Sequence, residues 1–247
     1  MLKKIVAISF ALFLLGYIIV VILVLGPKKN ENFCSAVDIV VVDTLDRHFI
    51  DSKDILLSLN KTDLFPVGKK MNDINTATID KKLAENPLIK RIECYKAINN
   101  RIKIKIYQKI PLIRVMSDAD DFYVDTEGKI MPAVFGLVVY LPVVTGKVNK
   151  EFAQSKLYDF ALFLKDNKFW NAQIEQIHVL PNNEIELITR VGEHRILLGK
   201  LDDYPEKLDN LKLFYEKGLN QVGWNQFSII NLKYKNQVIC TKKSNEK

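Results

Sequence analysis

Residues that carry chemistry are scarce in this sequence. Its 247 residues include three cysteines, Cys34, Cys94 and Cys240, and three histidines, His48, His178 and His194. Three cysteines cannot all pair within one chain, so a disulfide scaffold is excluded. Cys94 and Cys240 fall in strand-like segments, where a free cysteine packs as a small hydrophobe. A Cys34–Cys94 bridge in an oxidising compartment stays open, because no spacing demands it. No histidine has a second ligand at metal spacing, and a hydrogen-bonded or exposed histidine is the plainer reading for His178 and His194. Nor is there a Gly-x-Ser-x-Gly elbow, a P-loop or a dinucleotide fingerprint; Leu198-Gly199-Lys200 is too short to cradle phosphates. Asp118, Asp120 and Asp121 cluster, but the glycine and distal glutamate of a calcium loop do not follow, which leaves a solvated loop. The expectation is a chain that is not an enzyme, with no catalytic, cofactor-binding or metal residues, no cofactor and no small-molecule substrate.

Concentrated charge of one sign is also missing. The formal net charge is +7, yet four of those charges are Lys3, Lys4, Lys28 and Lys29, and without them the balance is +3. The lysines at 81, 82, 90, 103, 105 and 109 are interspersed with apolar residues, as on a solvated face. A nucleic-acid binder would gather basic residues with interleaved aromatics, so no nucleic-acid partner is expected. Internal repeats and low-complexity stretches are absent as well.

What the sequence does contain is one long uncharged run. Ile5–Leu25 spans 21 positions, mostly Ile, Val, Leu and Phe. As a helix it covers about 31 Å, the thickness of a hydrocarbon core, and a helix is the only single-segment way to satisfy a backbone in lipid. Gly26-Pro27 ends it. A cleaved signal peptide is the rival, since Lys3 and Lys4 resemble its charged start. The run is longer than the usual apolar core of such a peptide, Leu25-Gly26-Pro27-Lys28 lacks a small-x-small site, and Glu31-Asn32-Phe33 does not suit a lipoprotein cysteine at Cys34. A buried core helix would need a polar face, which this run lacks. Residues 1–4 then form a cytoplasmic tail, 5–25 a transmembrane helix and 26–35 a linker. The lysines before and after the run tie, but long folded domains translocate largely regardless of charge. A single-pass type II protein with its ectodomain outside is expected.

Beyond the linker two modules are expected. Val37–Val42 reads as a strand. A helix capped by Ser52 places Ile55, Leu56 and Leu59 at helical spacing. A second opens at Asn75 or Thr78 and stops at Asn86-Pro87. Strands Ile89–Lys96 and Arg101–Gln108 follow, joined by Asn99-Asn100. In the second, Ile102, Ile104 and Ile106 face one way while Lys103, Lys105 and Gln108 lie on or near the wet side. Residues 36–109 thus form a small β-α-α-β-β unit. Residues 110–241 read as a larger, mainly antiparallel β-domain with two helices. Its strands are Phe122–Val124, Leu137–Tyr140, Ile174–Val179, Ile185–Arg190, His194–Leu198, Phe227–Lys233 and Gln237–Thr241. Asn182-Asn183, Gly192-Glu193 and Lys235-Asn236 supply turns. One helix covers about 151–167; the other starts at Pro205 and closes at Gly218. Residues 242–247 are a tail. The fold class is α+β.

Five short segments, in order, carry a resemblance. They are Gln108-Lys109-Ile110-Pro111, Phe122-Tyr123-Val124-Asp125-Thr126-Glu127-Gly128, Leu141-Pro142-Val143-Val144-Thr145-Gly146, Ile196-Leu197-Leu198-Gly199 followed by Lys207, Leu208 and Leu211, and Ile230-Asn231-Leu232-Lys233-Tyr234-Lys235-Asn236. Together with the element order they resemble the bacterial cell-division family FtsQ, called DivIB in other bacteria. The small module resembles a POTRA (polypeptide-transport-associated) domain. Asn231 stands where the family has aspartate, and Lys233 where it has arginine, which keeps the charge but loses the planar fork. The resemblance implies a non-enzymatic scaffold of the division machinery during septum formation, in the inner membrane with its ectodomain in the periplasm. It implies FtsB- and FtsL-like partners and other divisome components.

The Asp125-Thr126-Glu127-Gly128 turn has a structural reading, with Asp bonding its own backbone and Gly supplying a positive φ. The terminal hairpin has two readings. If its last strand is a sheet edge, Lys233 and Lys235 guard it against strangers. Alternatively a partner adds a strand there. With the resemblance, the expected partner-binding residues are Lys233, Tyr234, Lys235, Val238 and Ile239, Tyr234 as a rigid anchor and Lys233 as an acidic contact's partner. The rival function is a POTRA-bearing transport or assembly factor, which usually carries several such modules or a barrel.

Overall fold

The computed structural model describes residues 2–25, 32–42, 49–117, 120–133 and 140–243. Helix α1 (Leu2–Leu25) is 24 residues long; its side chains are described at Ser9, Phe10 and residues 12–21, which are mostly apolar and largely exposed. Among the described residues no helix is long and apolar enough to cross a membrane.

The first module comprises β1 (Ala36–Val42), α2 (Ser52–Asn60), α3 (Thr76–Leu83), β2 (Ile89–Ala97) and β3 (Arg101–Gln108). The sheet order is β1-β3-β2, with β1 parallel and β2 antiparallel to β3. The cap of α2 is Asp51 rather than Ser52: its backbone is extended and its carboxylate accepts from Lys53 N. An acidic cap also meets the positive helix end. Asn75 opens α3 by accepting from the Ala77 and Thr78 amides. Asn99 and Asn100 both take positive φ (66° and 58°), the turn whose twist matches a hairpin. Ile102, Ile104 and Ile106 are fully buried with Ile55, Leu59, Ile79 and Leu83. Period two carries Gln108 to that same dry side, not the wet one. It is buried, and its Oε1 accepts from Phe49 N at 2.9 Å.

The sheet order also settles the cysteines. Cys34 precedes β1, whose Ala36 pairs with Arg101, while Cys94 sits two strands away opposite Ile104. Two strand spacings alone, about 10 Å, part β1 from β2, and the register offsets Ala36 from Cys94 by three further residues, too far for a bridge from Cys34. Both thiols are free and buried.

The second module contains β4 (Pro111–Ser117), β5 (Asp121–Asp125), β6 (Ile130–Pro132), β7 (Val143–Gly146), α4 (Lys150–Ala153), α5 (Lys156–Asp166), α6 (Lys168–Gln173), β8 (Ile174–Val179), β9 (Ile185–Thr189), β10 (Arg195–Gly199), α7 (Tyr204–Phe214), a π-helical turn (Tyr215–Leu219), α8 (Asn220–Val222), β11 (Phe227–Asn231) and β12 (Ile239–Lys242). They form one nine-stranded sheet in the order β12-β11-β10-β9-β8-β7-β4-β5-β6. It is mixed: β4–β5, β5–β6, β8–β9, β9–β10 and β11–β12 are antiparallel, the expected majority, while β4–β7, β7–β8 and β10–β11 are parallel pairs. Helices account for two of these pairs. A helical crossover returns the chain to the same end of the sheet; α4–α6 make one between β7 and β8, and α7–α8 make another between β10 and β11. β7 reaches β4 after the β5–β6 hairpin instead.

The single helix expected over 151–167 is two, α4 and α5, and a third, α6, follows it: Asn167 ends α5 and caps α6, accepting from Phe169 and Trp170 N. Gly218 does not close the second helix. It lies inside the π turn, where a Cβ would come within 2.8 Å of the Phe214 ring, and the helix ends at Gly223 with φ 97°. Leu157, Phe160, Leu164, Trp170, Leu208 and Leu211 pack this helical layer on Val144, Ile177, Leu187, Ile196 and Ile230. The expected strand Leu137–Tyr140 falls on 134–139, outside the described residues, and Tyr140 is not in a strand. The supposed tail also begins later, since Lys242 closes β12 and Lys243 N donates to Gln226 O. Asp125 Oδ1 accepts from Glu127 and Lys129 N, both at 2.8 Å, so that turn is structural.

The modules meet at β5 and β6. Tyr123 and Met131 are buried in the core of the first module, with Phe49 edge-on to Tyr123 at 6.3 Å and Lys90 paired with Glu127 at 2.5 Å.

Candidate functional site

The two ends of the nine-stranded sheet are β6 and β12. Among the described residues β12 has a neighbouring strand on one side only. It runs antiparallel to β11, with Asn231 opposite Ile239, Ile230 opposite Cys240 and Ile229 opposite Thr241. Period two turns Val238 and Cys240 toward the core and Ile239 outward, 44% exposed. Val238 therefore packs inward and precedes the strand; Ile239 alone of that pair is offered to a neighbour.

The turn between β11 and β12 is built by side chains. Asn231 Oδ1 accepts from Lys233 N at 2.9 Å, a role open to asparagine and aspartate alike, so the departure at this position keeps the local geometry. Gln237 N donates to Tyr234 O, and Asn236 takes φ 57°. Tyr234 stands at the tip of this turn, 58% exposed.

The basic residues here are partly engaged. Lys233 Nζ reaches Glu184 at 2.5 Å, and that hydrogen bond holds the Glu184 carboxyl below the usual range. Lys243 pairs with Glu193. The β8–β9 and β9–β10 turns are thereby tied to the terminal hairpin. Lys235 is exposed and lines a cleft of about 320 Å³ with Lys233, Glu184, Lys200, Glu206 and Asn236. The five expected residues thus lie on one hairpin, though Val238 faces the core and Lys233 is already paired. Sequence reasoning missed Glu184. Its partner is 49 positions away, and only the acidic residue after the Asn182-Asn183 turn hinted at it.

Behind the edge sits an aromatic cluster. His194 is buried, with Nε2 2.7 Å from the Tyr215 hydroxyl, and Trp224 stacks 4.8 Å from Tyr215. Burial pushes His194 below its ordinary pKa and Tyr215 above its own. His178 Nδ1 lies 2.9 Å from Thr145 Oγ1. His48 and Asp118 lie outside the described residues. Asp121 is held by Arg114 through two bonds of 3.1 and 2.8 Å, and Asp120 faces Lys150 at 3.5 Å, so these carboxylates are engaged by cations of the chain itself. Among the described residues no group of His, Cys, Asp or Glu is arranged to hold a metal.

The family model described as "FtsQ/DivIB, C-terminal related" matches residues 110–241, more than half the chain. The chain belongs to the FtsQ/DivIB family. A second model, a POTRA-like domain, matches residues 32–107. Among curated proteins the chain is similar to the cell division protein FtsQ of Geotalea daltonii (strain DSM 22248 / JCM 15807 / FRC-32), 23% identical over 186 residues. That match covers 71% of this chain and 66% of the relative, just short of two thirds of its length. The FtsQ/DivIB match runs through Thr241 and so takes in the terminal hairpin up to the last residue but one of β12.

Proposed function

We propose that this chain is a membrane-anchored scaffold of bacterial cell division that acts by binding rather than by chemistry. Its apolar run, residues 5–25, is a single type II anchor in the inner membrane, and the two modules stand in the periplasm at the division site. The uncharged length of that run supports the anchor. The printed name of the Geotalea relative supports division.

FtsB- and FtsL-like proteins are the partners, and other divisome components assemble around them. The observation that carries this reading is the unpaired outer side of β12, beside exposed Ile239 and Tyr234. A free edge supplies main-chain donors and acceptors, each bond adding about 0.5–1.5 kcal/mol, and outward side chains choose the partner. Tyr234 is a rigid anchor with little rotamer entropy to lose.

Co-purification of the full chain with an FtsB–FtsL-type pair tests this. Deleting residues 233–247 abolishes capture on this reading. Because that deletion also removes Val238 and Cys240 from the core, Tyr234→Ala is run beside it. Undiminished capture by both variants refutes the edge as the binding site. Depletion in the source bacterium separates division from the rival transport role. Filaments without septa favour division, and loss of envelope proteins favours transport.

A further inference from the structure

The far end of the first module carries a second exposed patch, and the chain's own connectivity says what it meets. Residues 33–35 lie between two loops. On one side Cys34 N donates to Lys69 O, Gly68 N donates to Cys34 O, and Phe33 bridges Lys70. On the other, Ser35 N donates to Asn100 O at 2.8 Å, and Ser35 Oγ donates to Asn99 and Asn100 carbonyls. Three apolar side chains are thereby gathered at one end: Phe33, 48% exposed, Val67, 38%, and Ile98, 87%. Two strand spacings part β1, which Phe33 precedes, from β2, which Ile98 follows, by about 10 Å. Ile98 sits in the β2–β3 turn, between Ala97 and Arg101. Along the chain Lys69 and Lys70 follow Val67, and Lys96 and Arg101 flank Ile98, with Asp38, Asp63 and Asp73 a few positions away from the same segments. Asp63 pairs with Lys69 and Asp38 with Arg101.

The chain reaches this end directly from α1. Only ten residues separate Leu25 from Ser35, a reach of at most about 35 Å when fully extended. We infer that this end of the module rests on the membrane that holds α1, with Phe33, Val67 and Ile98 entering the headgroup layer of an anionic bilayer and Lys96 facing its phosphates. The inference rests on the anchor proposed above. Apolar side chains flanked by cations are what an interface rich in negative lipid takes up, and the tether keeps the local lipid concentration high.

The test uses the full chain in vesicles of phosphatidylcholine with about a third phosphatidylglycerol. Ile98→Trp reports on the tip, with the wild-type chain as the baseline for Trp170 and Trp224. Lipid brominated near the headgroup quenches the added indole at least about twofold over that baseline, and Lys96→Gln in the same background lowers the docked fraction ratio by roughly fivefold. In pure phosphatidylcholine the quenching falls. Alkaline carbonate washing of the same vesicles reads the anchor separately. A chain that stays in the vesicles while its added indole is unquenched overturns the docking and leaves the anchor standing. A chain washed off overturns both.

Discussion

The two ends of the nine-stranded sheet are treated in opposite ways. At one end β6 is packed against the other module: Met131 and neighbouring Tyr123 are buried in the core of the POTRA-like module, and Phe49 and Lys90 cross the junction through a ring contact with Tyr123 and an ion pair with Glu127. At the other end β12 has no strand beside it, and its outward residues are exposed. An open edge in a monomer is a hazard unless guarded or used. On the function proposed above, the end packed against the first module serves stability and the open end serves recognition.

Met131→Ala is the strongest way to break that contrast. The side chain is fully buried, so its loss costs about 2–5 kcal/mol, read from the urea midpoint, while partner capture by the folded fraction stays unchanged. Gln108→Met comes next. It removes the acceptor of the buried Phe49 N–H without changing volume much, and destabilises by about 1–3 kcal/mol. If either variant weakened capture as much as it weakened folding, the two ends would not be separable.

Tyr234→Ala sharpens the contrast from the other side. At this exposed turn the urea midpoint stays within about 0.5 kcal/mol of wild type, while partner affinity measured by calorimetry falls by about 1–2 kcal/mol, or five- to thirtyfold. A smaller effect comes from pH. His194 is held below its ordinary value of 6.5, chiefly by burial, so the unfolded chain takes up a proton first as pH falls. The stability tied to neutral His194 is fully present above 6.5 and is lost as pH drops through the folded value. Urea midpoints at pH 7.5 and 5.5 differ less in His194→Gln than in wild type.

The packed end was poorly legible in the sequence and the open end well. The terminal hairpin announces itself locally, through alternation and Lys235-Asn236, and the strand Arg101–Gln108 was read to the residue because one face is all isoleucine. Strands β4, β6 and β7 were missed. Proline borders or enters each segment, at Pro111, Pro132 and Pro142, and masks short runs as junctions. Parallel pairing escaped for a different reason. It depends on where a crossover helix returns the chain, which no window of sequence contains. Gln108 was assigned to the wet side on its polarity, although strict alternation already put it with Ile102, Ile104 and Ile106; here periodicity outranked composition. Glu184 and Lys233 could not be paired in advance, since nothing local links positions 49 apart.

That pair gives the smallest prediction and the most discriminating one. Lys233 and Glu184 are both partly exposed, so breaking their bridge by Lys233→Gln or Glu184→Gln costs only about 0.2–1 kcal/mol of stability. Two roles for Lys233 then diverge. If it only braces the hairpin against the β8–β9 turn, both substitutions change partner affinity equally and the double variant adds nothing more. If Lys233 also meets an acidic group of the partner, Lys233→Gln weakens binding further and flattens its salt dependence, because a rim charge acts through steering and screening. Glu184→Gln in that case leaves affinity unchanged or improves it, since freeing the ammonium from its internal carboxylate makes it available to the incoming one. A double-mutant cycle across the pair, measured at two salt concentrations, separates the brace from the contact.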